Sequence, residues 1–266
     1  MAQGGVHVIG DVLPIAGAFG DFRDAIEFIF TSRESVTGGI DVGGLGEIGH
    51  LTRKHLEVSL LAVLIACAVS LPIGLWLGHI GRGEFLAISI SNVGRAVPTL
   101  ALLAFFVAYI GVGTQNVVLV LVLLAIPPIL TNTYVGVRQV DRETVDAARG
   151  VGLTETQIVR KIELPMALNT IFGGIRTSAV NVVATATIAP LASVDSLGTP
   201  IINGNVYGDA GRLGAAILVA LLTLALDLAL AGAQRAATPK GLRPTTDTGR
   251  GRRLPIPLLR REEQVT

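Results

Sequence analysis

Two sets of polar residues stand out in a chain that is otherwise apolar. The first is the interval Asp141–Pro165, DRETVDAARGVGLTETQIVRKIELP, the longest charged stretch within the hydrophobic part. The second is Thr177, Asn181 and Thr185, spaced four apart in an apolar segment and therefore on one face of a helix. Neither set has a catalytic pattern. The chain lacks G-x-x-x-x-G-K-[ST], so it has no P-loop with which to hydrolyse ATP by itself. No His, Asp and Glu cluster has metal-ligand spacing, and His7, His50, His55 and His79 are scattered near segment ends, where a solvated histidine is the default. The lone cysteine, Cys67, lies in an apolar run, which excludes a disulfide framework and favours a small buried residue. What remains is docking of another protein and lining of a polar path.

Composition names the setting. Of 266 residues, 50% are hydrophobic and 15% charged, with a mean hydropathy of +0.63. Soluble domains carry about 25% charged residues, so an all-α integral membrane protein is expected. Five spans are legible: Leu56–Leu77 with Pro72 and Gly74, Val97–Ile110, Val117–Val135 kinked by Pro127 and Pro128, Leu168–Leu191, and Leu213–Gly232. Phe85–Asn92 reads as a half-helix leading into the second. The chain divides into an N-terminal segment 1–55, a membrane domain 56–232 and a basic tail 233–266 that lacks apolar periodicity and is expected to be disordered. Within the first segment, Ala18–Phe30 is too short and charged to span and reads as an interfacial helix, with Thr31–Gly49 as a loop. The N-terminus has no basic region before its first apolar run, so it lacks the form of a signal peptide.

With Asp141–Pro165 cytoplasmic, sixteen of the 21 Lys and Arg residues fall inside; Arg23, Arg33, Arg53, Lys54 and Arg212 fall outside. That distribution obeys the positive-inside rule, with the N-terminus outside and the tail inside. The tail has no aromatic residue, which argues against nucleic-acid binding; orientation or attraction to anionic lipid explains its charge.

Two short helices are legible in Asp141–Pro165. Asp141 can cap the first, which ends near Arg149 at Gly150 and Gly152. Thr154 and Gln157 form a capping-box pair for the second, and Pro165 limits its far end. Ala147, Ala148, Gly150 and Gly152 leave room for close approach by a partner. The Thr177, Asn181 and Thr185 face, flanked by small residues, fits either a transport path or hydrogen bonding to neighbouring helices. Asn132 and Thr133, and likewise Asn92 and Arg95, could line the inner mouth of such a path. Arg176 pairs with Asp227 or reaches to the interface. The stretch Ala192–Asp209 is either a landing surface for a delivery protein or an ordinary outer loop.

Asp146-Ala147-Ala148, Gly152 and Ile162-x-Leu164-Pro165 follow the spacing EAA-x3-G-x9-I-x-L-P, which resembles the signature loop of the membrane subunits of binding-protein-dependent ABC importers. Asp146 stands where that family usually has Glu. The resemblance implies a type I importer permease in which Asp146, Ala147, Ala148, Gly152, Ile162, Leu164 and Pro165 form coupling helices seated in an ATPase groove. It further implies ATP and Mg on that partner subunit, a second permease, identical or homologous, and an extracytoplasmic binding protein. Asn92–Thr114, Pro127–Asp141 and Gly173–Leu191 resemble the osmoprotectant branch, which handles glycine betaine, carnitine and choline. Thr177, Asn181, Thr185 and Asn132 would then line the path. Quaternary ammonium groups are held by aromatic cages, and Trp76, Tyr109, Tyr134 and Tyr207 are too dispersed to suggest one, which leaves selectivity to the binding protein. The rival readings are an ion-coupled secondary transporter and an ABC permease for another small solute such as an amino acid; five spans and no internal repeat disfavour the former.

Overall fold

Among the described residues, four helices are long and apolar enough to cross a membrane, and one of them lies in the middle of the others. In the computed structural model, which describes residues 15–82, 84, 85, 89 and 97–238, the order is α1 (Ile15–Phe30), β1 (Ser32–Glu34), β2 (Asp41–Gly43), α2 (Gly44–Ile80), α3 (Thr99–Ile110), α4 (Thr114–Arg138), α5 (Arg142–Gly150), α6 (Glu155–Ile158), α7 (Leu164–Thr185), α8 (Gly198–Ile202) and α9 (Gly204–Ala237). A π-helical turn, Val159–Glu163, joins α6 to α7, and a 3-10 turn, Ala186–Ala192, continues α7.

The central helix is α4. Its Val117, Val120, Leu121, Ala125 and Ile129 are buried among Val58, Ala62 and Ala66 of α2 and Val182 of α7. Small residues set the spacing. A Cβ on Gly74 would lie 2.7 Å from Thr133, one on Gly78 2.7 Å from Val137, and one on Gly174 2.7 Å from both Asn132 and the Pro128 carbonyl. Lipid tails are as apolar as leucine, so in a membrane such close approach and cross-helix hydrogen bonds hold helices together. Ser178 Oγ donates to the Ala125 carbonyl at 2.8 Å, and the buried His55 ring meets the Val183 carbonyl at 2.8 Å.

Several boundaries differ from the sequence expectation. The span placed at Val97–Ile110 is the 12-residue α3, about 18 Å long and shorter than a hydrocarbon core of about 30 Å. The helix of the first span starts at Gly44, well before Leu56, because Ile48, Leu51 and His55 bury one face although Glu47, Arg53 and Lys54 hide that stretch from a hydropathy scan. Thr31–Gly49 is not wholly loop: it holds a hairpin pairing Ser32 with Gly43, Arg33 with Val42 and Glu34 with Asp41. The half-helix expected over Phe85–Asn92 lies largely outside the described residues, as do Asn92, Arg95, His7 and the tail beyond Thr238.

α1 packs on the first turns of α9. Ala25, Phe28 and Ile29 are buried there, whereas Phe22, Ile26 and Phe30 are exposed. The Phe28 ring meets Tyr207 edge-on at 6.2 Å, and Tyr207 donates from its hydroxyl to Glu47 Oε1 at 2.6 Å. α9 breaks at Gly208, whose φ of 68° is a left-handed conformation suited to glycine.

Candidate functional site

The Asp141–Pro165 interval folds as a capped two-helix projection. Asp141 caps α5, its carboxylate accepting from the Glu143 amide at 3.1 Å. Thr154 and Gln157 form a reciprocal capping box at the start of α6. Between them the chain reverses at Gly152, φ +87°, around which a Cβ would meet nothing within 4 Å. The two helices share a small core of Val140, Val145, Ala148 and Ile158. Asp146 and Ala147 face solvent, whereas Ala148 is buried, so the surface available to a partner is narrower than the motif suggests. On the exposed side Arg149 bonds Glu155 at 3.0 and 3.1 Å and Asp146 at 2.9 Å. Its bonds to Glu155, and secondarily the Asp146 charge, hold the guanidinium above its ordinary value.

Pro165 does not end α6. The chain passes through the π turn, in which Leu164 N–H donates to the Val159 carbonyl, and Pro165 falls in the first turn of α7. Proline is tolerated there because a helix's first amides have no partner within the helix. α6, the π turn and α7 therefore form one continuous rod from projection to span.

The second polar set opens onto a groove of about 840 Å³ between α7 and α9. Thr177 and Asn181 line it from α7, and Thr223 from α9, with Arg176 and Asp227 joined at one end. Thr185 is not among its lining residues: it ends α7, where the helix tightens into the 3-10 turn. Asn132 is separated from the groove as well, since it packs against Gly174 between α4 and α7 and turns its amide back to the Pro128 carbonyl at 2.8 Å. The choice left open for Arg176 goes to pairing. The Ala192–Asp209 stretch is folded, with Ser196 and Leu197 fully buried and Gly198 tight against the Thr187 carbonyl.

Sequence reasoning missed two histidines. His55 and His79 are buried and bonded rather than solvated. The available signal for His79 was its partner Glu163, a lone carboxylate between Ile162 and Leu164 in an apolar motif. Among the described residues no ring contact joins Trp76, Tyr109, Tyr134 and Tyr207 to one another; Tyr109 meets Phe105 at 4.6 Å and Tyr207 meets Phe28, with Trp76 and Tyr109 exposed and Tyr134 and Tyr207 buried.

The family model described as the binding-protein-dependent transport system inner membrane component matches residues 70–241. The chain belongs to that family. It is a multi-pass membrane permease of the ABC importer class, whose members work with ATPase and substrate-binding partners. The permease is 39% identical over 199 residues to the carnitine transport permease protein of Listeria monocytogenes, covering 74% of this chain and 91% of that one. It is 36% identical over 198 residues, 74% and 91% of the two chains, to a choline transport system permease protein of Bacillus subtilis. Among solved structures, the inward-facing MetNI methionine ABC transporter superposes with a TM-score of 0.64 over 73% of this permease and 98% of that chain, at 20% identity. That likeness bears on the fold, which is the type I importer permease fold.

Proposed function

We propose that this permease forms part of the translocation path of an importer for a quaternary ammonium osmoprotectant such as glycine betaine, carnitine or choline. The observation that carries the reading is its identity, across three quarters of the chain, with permeases named for carnitine and choline. Transport is driven by ATP and Mg on a partner ATPase, not by this chain. The ATPase grips the projection through Asp146, Ala147 and Gly152, with Ala148 packed in the core beneath them, and the Ile162, Leu164 and Pro165 segment carries the motion into α7. The projection is cytoplasmic and the N-terminus is outside, as the distribution of basic residues supports. A second permease, identical or homologous, completes the path against the α7–α9 groove, and Thr177 and Asn181 are its polar lining. Thr185 and Asn132 contribute at its margins, through helix ends and packing. A binding protein delivers the solute at the Ala192–Asp209 side. Because no ring contact joins Trp76, Tyr109, Tyr134 and Tyr207 to one another among the described residues, that protein sets most of the selectivity for the ammonium group.

The test is reconstitution. Proteoliposomes holding the permease, its ATPase and its binding protein should take up labelled carnitine only when ATP is enclosed with the ATPase. Gly152→Trp should abolish that uptake while membrane insertion is retained. Gly152→Ala bears the same left-handed backbone cost without the bulk, and should retain most of it. Uptake driven by an ion gradient without the ATPase would replace this reading with a secondary carrier.

A further inference from the structure

The Ile80 end of α2 meets the projection through a partly buried polar bridge that the transport reading above does not use. His79 has a side chain only 5% exposed. Its Nδ1 is hydrogen-bonded with Glu163 Oε2 at 2.7 Å, and its Nε2 lies 3.0 Å from Glu155 Oε2. Glu163 is fully buried in the π turn, and its second oxygen has no hydrogen-bond partner. Glu155 opens α6 and carries Arg149, which in turn holds Asp146 of α5. Polar contacts therefore run unbroken from Asp146 through Arg149, Glu155 and His79 to Glu163.

Such an arrangement is costly to bury unless each charge meets its partner. Apolar side chains would join α2 to the projection without that cost, as they do elsewhere in the bundle. The bridge has a geometric use that apolar packing lacks. The projection continues covalently into α4 through Val140 and into α7 through the π turn, but α2 has no direct covalent link to it. π turns recur at functional sites because they place a side chain where a regular helix cannot.

We propose that His79 is a positioning residue that clamps α2 to the coupling projection, passing displacement of α5 and α6 to α2 through Glu155 and to the π turn through Glu163. The proposal rests on the reading of Asp141–Pro165 as the element gripped by the ATPase. With the clamp closed, α2, α4 and α7 move as one body, and the Gly74 and Gly78 contacts keep α2 seated along α4.

The measurement is the number of carnitine molecules taken up per ATP hydrolysed, in proteoliposomes holding the complete transporter. A folding defect lowers uptake and hydrolysis together and leaves that ratio alone. Glu155→Ala, at an exposed position, should keep ATP hydrolysis and lower the ratio about threefold or more, within the range expected of a single coupling contact. His79→Ala should lower it at least as far, and the double variant should fall no further than His79→Ala alone. If His79→Ala fails to assemble because Glu163 is left buried without a partner, Glu155→Ala decides the matter. An unchanged ratio in Glu155→Ala, or losses that add in the double variant, overturns the clamp. Intact coupling in Gly152→Trp overturns the docking reading and the clamp with it. Loss of coupling in Gly152→Trp with an unchanged ratio in Glu155→Ala overturns the clamp alone.

Discussion

Arg176 clasps Asp227 across one end of the α7–α9 groove: its Nη2 donates to both carboxylate oxygens at 2.8 Å, and its Nε to Oδ1 at 3.0 Å. Gln234 extends the clasp, accepting from Arg176 at 3.3 Å and donating to Asn169 Oδ1 at 2.7 Å. Both charged side chains are about one-third exposed, 31% and 32%, so they neither sit in bulk water nor disappear into the bundle. The pair fixes how far α9 stands from α7 and hence the width of the groove.

Removing one member should therefore matter. Asp227→Ala leaves a half-buried guanidinium without its carboxylate, and the detergent-solubilised permease should lose about 1–3 kcal/mol of stability. The exchanged pair, Arg176→Asp with Asp227→Arg, should recover part of that loss. Thermal unfolding of the two variants and the parent checks it; equal midpoints for Asp227→Ala and the parent would mean that the clasp contributes nothing.

The contact of α2 with α4 depends on missing side chains. A leucine at Gly74 or Gly78 would drive its Cβ to within 2.7 Å of Thr133 or Val137. Gly74→Leu should cost at least about 1–3 kcal/mol and lower the yield of folded protein. Gly46→Ala is the control, because it lies in the same helix with nothing within 4 Å of a Cβ. Replacing glycine inside a helix should stabilise by about 0.5–1 kcal/mol. Folded yield after extraction, measured by size exclusion, separates the two outcomes.

At the start of α6, Thr154→Ala removes the hydroxyl half of the capping box and should weaken the projection by about 1 kcal/mol. Faster hydrogen exchange confined to residues 154–158 is the expected signature. An equal rise across α7 would mean that rod and projection open together.

The same projection shows what was legible in the sequence and what was not. Asp141, Thr154 and Gln157 act locally, so their caps could be read from spacing alone, and both exist. The pairing of Arg176 with Asp227 was also within reach, because lone charges in apolar helices have few partners to choose from. His79 and Glu163 lie 84 positions apart and meet only through the bundle's packing, so no local pattern links them. Pro165 misled for a related reason: proline stops a regular helix, but the wider π turn ahead of it lets the rod continue. The strands at Ser32–Glu34 and Asp41–Gly43 are three residues each, too short to show alternation. The groove's lining was half legible. Thr177 and Asn181 share a face by periodicity, whereas Thr185 falls where α7 tightens into the 3-10 turn and Asn132 packs on Gly174 of α7.

The π turn has one more consequence. It holds one residue more than an ordinary helical turn, and each residue advances an α-helix by about 100°. Deleting any one of Val159–Glu163 would let the rod wind regularly and rotate everything beyond it by that angle, swinging Thr177 and Asn181 off the groove and toward neighbouring helices. The five residues thus set the rotational phase between the projection and the groove-facing part of α7, so that a change in their number should be felt along the whole span.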